Sequence, residues 1–194
     1  MDASSTSPSQ KSPYEYPQSR LRLAVAVLIL LVISLPGWPV IRHQTDLLLD
    51  SMAPISWTTA GLLMLGLFAM VPFTILLHEP VHYLTMKLLG YNPEIQWIAV
   101  NPNVSAPGQR MDATHNVISL LAPLVVLDAV ALLVVFVDVH PVVSLVAAGV
   151  FVVNSLASAN DVSGAWFDYR LPAGSQVEFR KENGQTVSYI YEAR

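Results

Sequence analysis

No cysteine occurs in the 194 residues. Disulfides and thiolate metal sites are therefore excluded, and any zinc would have to be held by histidine and carboxylate. Charge is scarce as well. Only 12% of the residues are Asp, Glu, Lys or Arg, and no basic cluster occurs, which removes nucleic acid from the expected partners. No small-x-small cleavage site follows the first apolar stretch; Leu35-Pro36-Gly37-Trp38-Pro39 follows it instead, so a retained membrane helix is expected there rather than a signal peptide. No internal repeat is visible. What is abundant is apolar: 53% of the chain is hydrophobic, with a mean hydropathy of +0.49. That is a membrane composition, and the length suits one compact unit.

Residues 1–20 are rich in Ser and Pro, lack apolar periodicity, and read as a disordered tail. Four apolar segments follow, at 21–41, 57–77, 116–137 and 142–160, each long enough for a membrane helix at about 1.5 Å per residue. The second is expected to continue as helix to about 89, with Gly90 as its stop. Residues 42–50 read as a short surface loop. After the second helix, 94–100 reads as a strand, Asn101-Pro102-Asn103 as a turn and Val104 onward as a returning strand. From Ser163 the chain is soluble in character. There, 177–180 and 186–191 flank Asn183-Gly184, a strong hairpin signal. The expected fold class is an all-α polytopic membrane protein of about four transmembrane helices, with a membrane domain over 21–162, a short β-loop after the second helix and a β-hairpin tail over 163–194. Four spans put nine of the ten lysines and arginines on one side and Arg42 alone on the other. The positive-inside rule then places both termini in the cytoplasm.

The chemistry is concentrated at His78-Glu79-Pro80-Val81-His82. Residues i and i+4 share a helix face, so His78 and His82 can offer two imidazoles to one metal ion, with Glu79 beside them to take a proton from a metal-bound water. Three ionisable residues in five positions of a membrane helix are costly unless they function. The bland reading is a pair of interfacial histidines with a snorkelling Glu. Pro80 should kink the helix, because it removes a donor and crowds the carbonyl of Leu76.

Depth selects the remaining ligand. His43 and His140 fall on the far side. Asp128 lies about 18 Å above the inner boundary at helical rise, too high to ligate, and can be protonated or bonded to Ser144 or another polar group of the fourth span. Asp161, at the inner end of that span, and the pair Asp112 and His115, at the start of the third, remain candidates. Asn154 favours Asp161. It lies two helical turns before Asp161 on the same face, and its amide could donate to a carbonyl oxygen or a developing oxyanion. An interhelical hydrogen bond is the alternative role.

The second-span motif, Ser119-Leu120-Leu121-Ala122-Pro123 in the third span, Asn154 with Asn160-Asp161 in the fourth, and Leu171-Pro172-Ala173-Gly174-Ser175 with the hairpin beyond it together resemble a family of zincin membrane peptidases. That family is similar in logic to the site-2 intramembrane proteases. The resemblance covers about residues 60–192. It implies a zinc ion held by His78, His82 and a helix-borne Asp downstream of an Asn, which points to Asp161. Two departures stand out: Pro80 inside the motif, and Asn160-Asp161-Val162-Ser163-Gly164 where site-2 proteases carry Leu-Asp-Gly. The expected function is an integral-membrane zinc metallopeptidase of a prokaryotic cell membrane, with Glu79 and Asn154 as catalytic groups, lipid as surroundings, and a peptide or membrane protein as substrate. The strand at 95–100 could hold that substrate by edge pairing. The sequence leaves the oligomeric state open. Two readings from other classes compete: a non-catalytic membrane scaffold, which needs neither Glu79 nor metal, and a small transporter or metal-handling protein built around Asp128.

Overall fold

The computed structural model describes residues 14–15, 19–51, 57–98, 101–137, 141–182 and 185–193. It is mostly helical, with two small antiparallel sheets. Helix α3 spans Trp57–Leu88 as a single rod of 32 residues with Pro72 and Pro80 inside it, as the apolar run and the stop at Gly90 predict. Gly90 has φ of 91°, a left-handed conformation that glycine adopts freely after a helix. Helix α4, Ala113–Val137, is the expected third span with three more residues at its start.

The other two spans depart from expectation in the same way: each is a bent pair. Helices α1 (Arg20–Ser34) and α2 (Gly37–Ser51) meet at 45°. The stretch read as a surface loop, 42–50, is therefore helical. The break falls at Leu35-Pro36: Pro36 has no N–H for the Val32 carbonyl, which accepts from the Leu35 N–H at 3.3 Å instead, while Pro39 is tolerated in the first turn of α2. Gly37 sits there because a Cβ would meet the side chains of Val152 and Phe151. Helices α5 (Pro141–Ala157) and α6 (Ala159–Tyr169) meet at 48°, so helix continues well past Ser163. Ser158 stands at that bend and donates its hydroxyl to the carbonyl of Asn154 at 2.9 Å, a back-bond of the kind that bends helices.

Among the described residues one helix, Ala113–Val137, is long and apolar enough to cross a membrane, or up to three segments if each bent pair is one span; four spans are not established. The outer face of α4 is apolar, with Val125, Val130, Leu133 and Phe136 exposed.

Strands β2 (Glu94–Ile98) and β3 (Asn101–Ser105) form a two-stranded sheet. Asn101-Pro102-Asn103 belongs to β3 rather than to the turn, because Ile98 pairs with Asn101; residues 99 and 100, between them, lie outside the described residues. Pro102 is tolerated because both strands are edges. The expected tail hairpin is β5 (Gln176–Glu182) with β6 (Gln185–Tyr191), and its Asn183-Gly184 turn lies outside the described residues. Two short strands extend it: β4 (Arg110–Asp112) on β5, and β1 (Tyr14–Glu15) on β6, giving the order β1-β6-β5-β4. Part of the stretch read as a disordered tail is thus paired, Tyr14 opposite Ile190. The two sheets are joined by Thr186 Oγ1 to Gln96 Oε1 at 3.0 Å and Lys181 Nζ to Glu94 Oε2 at 2.7 Å.

Candidate metal centre

Helix α3 brings His78 and His82 onto one buried face. Their rings meet edge to face with centroids 4.9 Å apart, and the two Nε2 atoms are 3.1 Å apart. The expected kink at Pro80 does not divide the helix: residues 57–88 remain one element.

A second proline fixes the His82 ring. In an α-helix the carbonyl of residue 119 accepts from the N–H of residue 123. Residue 123 is proline and has no N–H, so the Ser119 carbonyl is left without its intrahelical donor. It accepts from His82 Nδ1 instead, at 2.8 Å. The carbonyl of Pro123 is used as well, accepting from Asn154 Nδ2 at 3.1 Å.

The His78 ring is fixed from α5. Its Nδ1 donates to Asn154 Oδ1 at 2.9 Å, and Asn154 Nδ2 also donates to Asp128 Oδ1 at 2.8 Å. Ser155 donates its hydroxyl to the other oxygen of Asp128 at 2.7 Å. Because the Pro123 carbonyl can only accept from the amide, it sets the amide's orientation, and Oδ1 must face His78. The expected donation from Asn154 to a substrate oxyanion is not available here, since both of its N–H groups are engaged. The partners of Asp128 are Asn154 and Ser155, not Ser144, and it reaches the site through Asn154.

The bend at Ser158 turns α6 so that Asp161, in its first turn, meets both rings. Asp161 Oδ2 is 3.0 Å from His78 Nε2 and 3.6 Å from His82 Nε2. The N-terminal end of α6 is a favourable place for a carboxylate.

This donor set fits zinc. With both Nδ1 atoms donating, each neutral ring turns a lone pair on Nε2 toward the other and toward a carboxylate oxygen. Three acceptor atoms thus form a triangle with sides of 3.0, 3.1 and 3.6 Å. Tetrahedral ligands about 2.0–2.1 Å from zinc stand roughly 3.3 Å apart. No sulfur is needed, consistent with the absence of cysteine. A ligand atom of Glu79 lies within 4.8 Å of those of His78 and His82.

Glu79 accepts a hydrogen bond from the backbone N–H of Val104 on β3. With His82 and Asp161 it lines a cavity of about 240 Å³, whose lining also includes Val104, Val177 and Phe179. The β-loop and the tail hairpin therefore face the motif. The Asp112 and His115 pair is not brought there. His115 Nδ1 is hydrogen-bonded to Tyr91 Oη at 2.8 Å, and both Asp112 and His115 line a different cavity of about 600 Å³. His140 lies outside the described residues.

Sequence reasoning missed the Ser119 carbonyl, although the signal was present in a proline four residues downstream. It also missed Asn116, which shares the inner face of α4 with Ser119 and Pro123 and lines the cavity. Residues 71–175 match the model of a family described as "putative zincin peptidase". No curated protein and no solved structure matches the chain.

Proposed function

The chain belongs to that zincin peptidase family, and from this membership we propose that it is an integral-membrane zinc metallopeptidase that hydrolyses peptide bonds at or near the cytoplasmic membrane face. One observation carries the reading: the triangle of His78 Nε2, His82 Nε2 and Asp161 Oδ2, with the Nδ1 protons committed elsewhere. These three residues would hold the zinc, which would supply a Lewis acid in the cavity. Glu79 would accept the proton of the attacking water and deliver it to the leaving amine nitrogen. The Val104 N–H orients its carboxylate. Asn154 and the Ser119 carbonyl hold the two rings in one tautomer, and Asp128 with Ser155 holds Asn154. β3, rather than β2, has the contact with Glu79, so an extended substrate would pair along the free edge of β3.

The test combines metal analysis with one substitution. Purified protein should contain zinc and cleave fluorogenic peptides. Glu79→Gln should retain the zinc and lose about 10²–10⁴ in rate, because Gln keeps the shape but cannot accept a proton. A zinc-loaded Glu79→Gln protein with undiminished cleavage refutes the mechanism. The membrane setting and cytoplasmic termini rest on the apolar outer helix faces and the nine-to-one Lys/Arg count. They predict that a cysteine introduced at Gln185 is protected from impermeant reagents in intact cells; labelling from outside would reverse the orientation.

A further inference from the structure

Asn116 is a buried amide, 3% exposed, in the wall of the cavity that Glu79, His82 and Asp161 share. Its Nδ2 donates to Asp168 Oδ2 at 2.6 Å. A carboxylate oxygen accepts and cannot exchange roles with the amide, so this bond fixes which way Asn116 faces. Its Oδ1 is left with no hydrogen-bond partner among the described residues. An acceptor buried without a donor costs about 1–3 kcal/mol, and the residue that carries it lines the cavity, so a ligand that brings a donor there would relieve that cost.

We propose that Asn116 Oδ1 receives a main-chain N–H of the peptide substrate, making it a substrate-positioning residue on the helical side of the cavity. The inference rests on the peptidase reading and adds the group that fixes the peptide's register. An extended chain has N–H groups on alternate sides. With one side pairing along β3 near Val104, the other turns its N–H groups toward α4, where Asn116 stands one turn before Ser119. The cavity, at about 240 Å³, is smaller than the usual ligand pocket of roughly 300–1,000 Å³, which suits a short length of extended chain. Asp168 does not touch the substrate; it holds the amide in the orientation that leaves Oδ1 free.

The test uses the full-length zinc-loaded protein in detergent with a hydroxamate-capped tripeptide and the set of its singly N-methylated forms, measured by calorimetry. In the wild type, N-methylation at one position should weaken binding roughly tenfold, as expected for one lost buried hydrogen bond. Asn116→Ala should remove that one penalty, leave any others, and keep the zinc. The exchanged pair Asn116→Asp with Asp168→Asn restores a donor, an acceptor and a free oxygen at the same place, so it should restore the penalty even if Asn116→Ala folds poorly. A wild type without any N-methyl penalty overturns the assignment, as does Asn116→Ala that keeps every penalty, or an exchanged pair that folds without regaining it. Failure of the peptidase reading has a different signature: the N-methyl pattern is present and fluorogenic peptides remain uncut.

Discussion

Pro123→Ala separates two effects that usually move together. Proline inside a helix is about 3 kcal/mol less favourable than alanine, so the substitution should favour α4. It also removes two buried methylenes, at about 0.8 kcal/mol each, because Pro123 is fully buried. The Asn154 bond to the carbonyl of residue 123 is unaffected, since it uses main-chain oxygen. The expected net change is about 1 kcal/mol of added stability for the metal-free protein. Zinc binding should move the other way. Alanine restores an N–H aimed at the Ser119 carbonyl, which now serves His82 Nδ1 at 2.8 Å. A carbonyl has two lone pairs, so the histidine bond is shared rather than lost. Losing such an outer-shell partner costs 10–100-fold in metal affinity; sharing it should cost about tenfold, the low end of that range. Chelator competition gives the zinc affinity, and thermal unfolding with and without zinc gives the stability. A stabilised protein with wild-type zinc affinity would show that the freed carbonyl does not hold His82 in place.

Three acidic substitutions should rank in zinc affinity. Asp161→Ala should lose the metal, Asp128→Asn should weaken it about tenfold through Asn154, and Asp112→Ala, like His115→Ala, should leave it unchanged; an Asp112→Ala or His115→Ala protein that loses zinc moves the third ligand to the substituted residue. The tail sheet should weaken in acid. Arg180, with Tyr191 and Arg110, holds the Glu178 carboxyl down at about 2. A depressed value stabilises the folded state above the unfolded pKa of about 4.3 and loses that contribution as pH falls through about 2. Proteolysis within residues 176–191 should therefore rise over that window in the wild type, and Glu178→Gln should flatten the profile; an unchanged profile removes Glu178 from the explanation.

The long-period features were legible in the sequence, and the local breaks were not. The His78 and His82 spacing and the continuity of α3 to its stop follow from helix geometry, and the hairpin follows from Asn183-Gly184; Asn154 and Asp161 both reach His78, but from two helices bent at Ser158 rather than from one face of a single helix. The bends in the first and fourth segments were missed because apolar content reports burial in lipid or protein and says nothing about helix direction. The bend at Ser158 depends on a side-chain bond one turn back, which composition does not reveal. Asp128, set aside as a ligand by depth, bonds Asn154 and Ser155 in the structure. Its link to His78 passes through an amide on another helix, a contact that only packing creates. Asn154 was assigned to the right place and a different task, because a lone amide in a sequence does not show which of its donors are already engaged.

The polar groups of this site divide into two sets. Behind the rings the two Nδ1 atoms and the amide that holds one of them have partners within the chain: His82 has the Ser119 carbonyl, His78 has Asn154, and Asn154 has Pro123 and Asp128. In apolar surroundings such a network is favourable only when complete, since each unmet group costs several kcal/mol where no water can replace a partner. In front of the rings the reverse holds. Two Nε2 lone pairs, Asp161 Oδ2 and Asn116 Oδ1 are acceptors facing or lining one small space. The three around Asp161 lie within 3.6 Å of one another, and a cation is the group that would satisfy them together, as a peptide N–H would satisfy Asn116. The prolines belong to the same division. Pro123 frees a carbonyl inside an apolar bundle, where it must find a donor, and the ring that supplies one, His82, is also a ring that has to present its other nitrogen to the cavity.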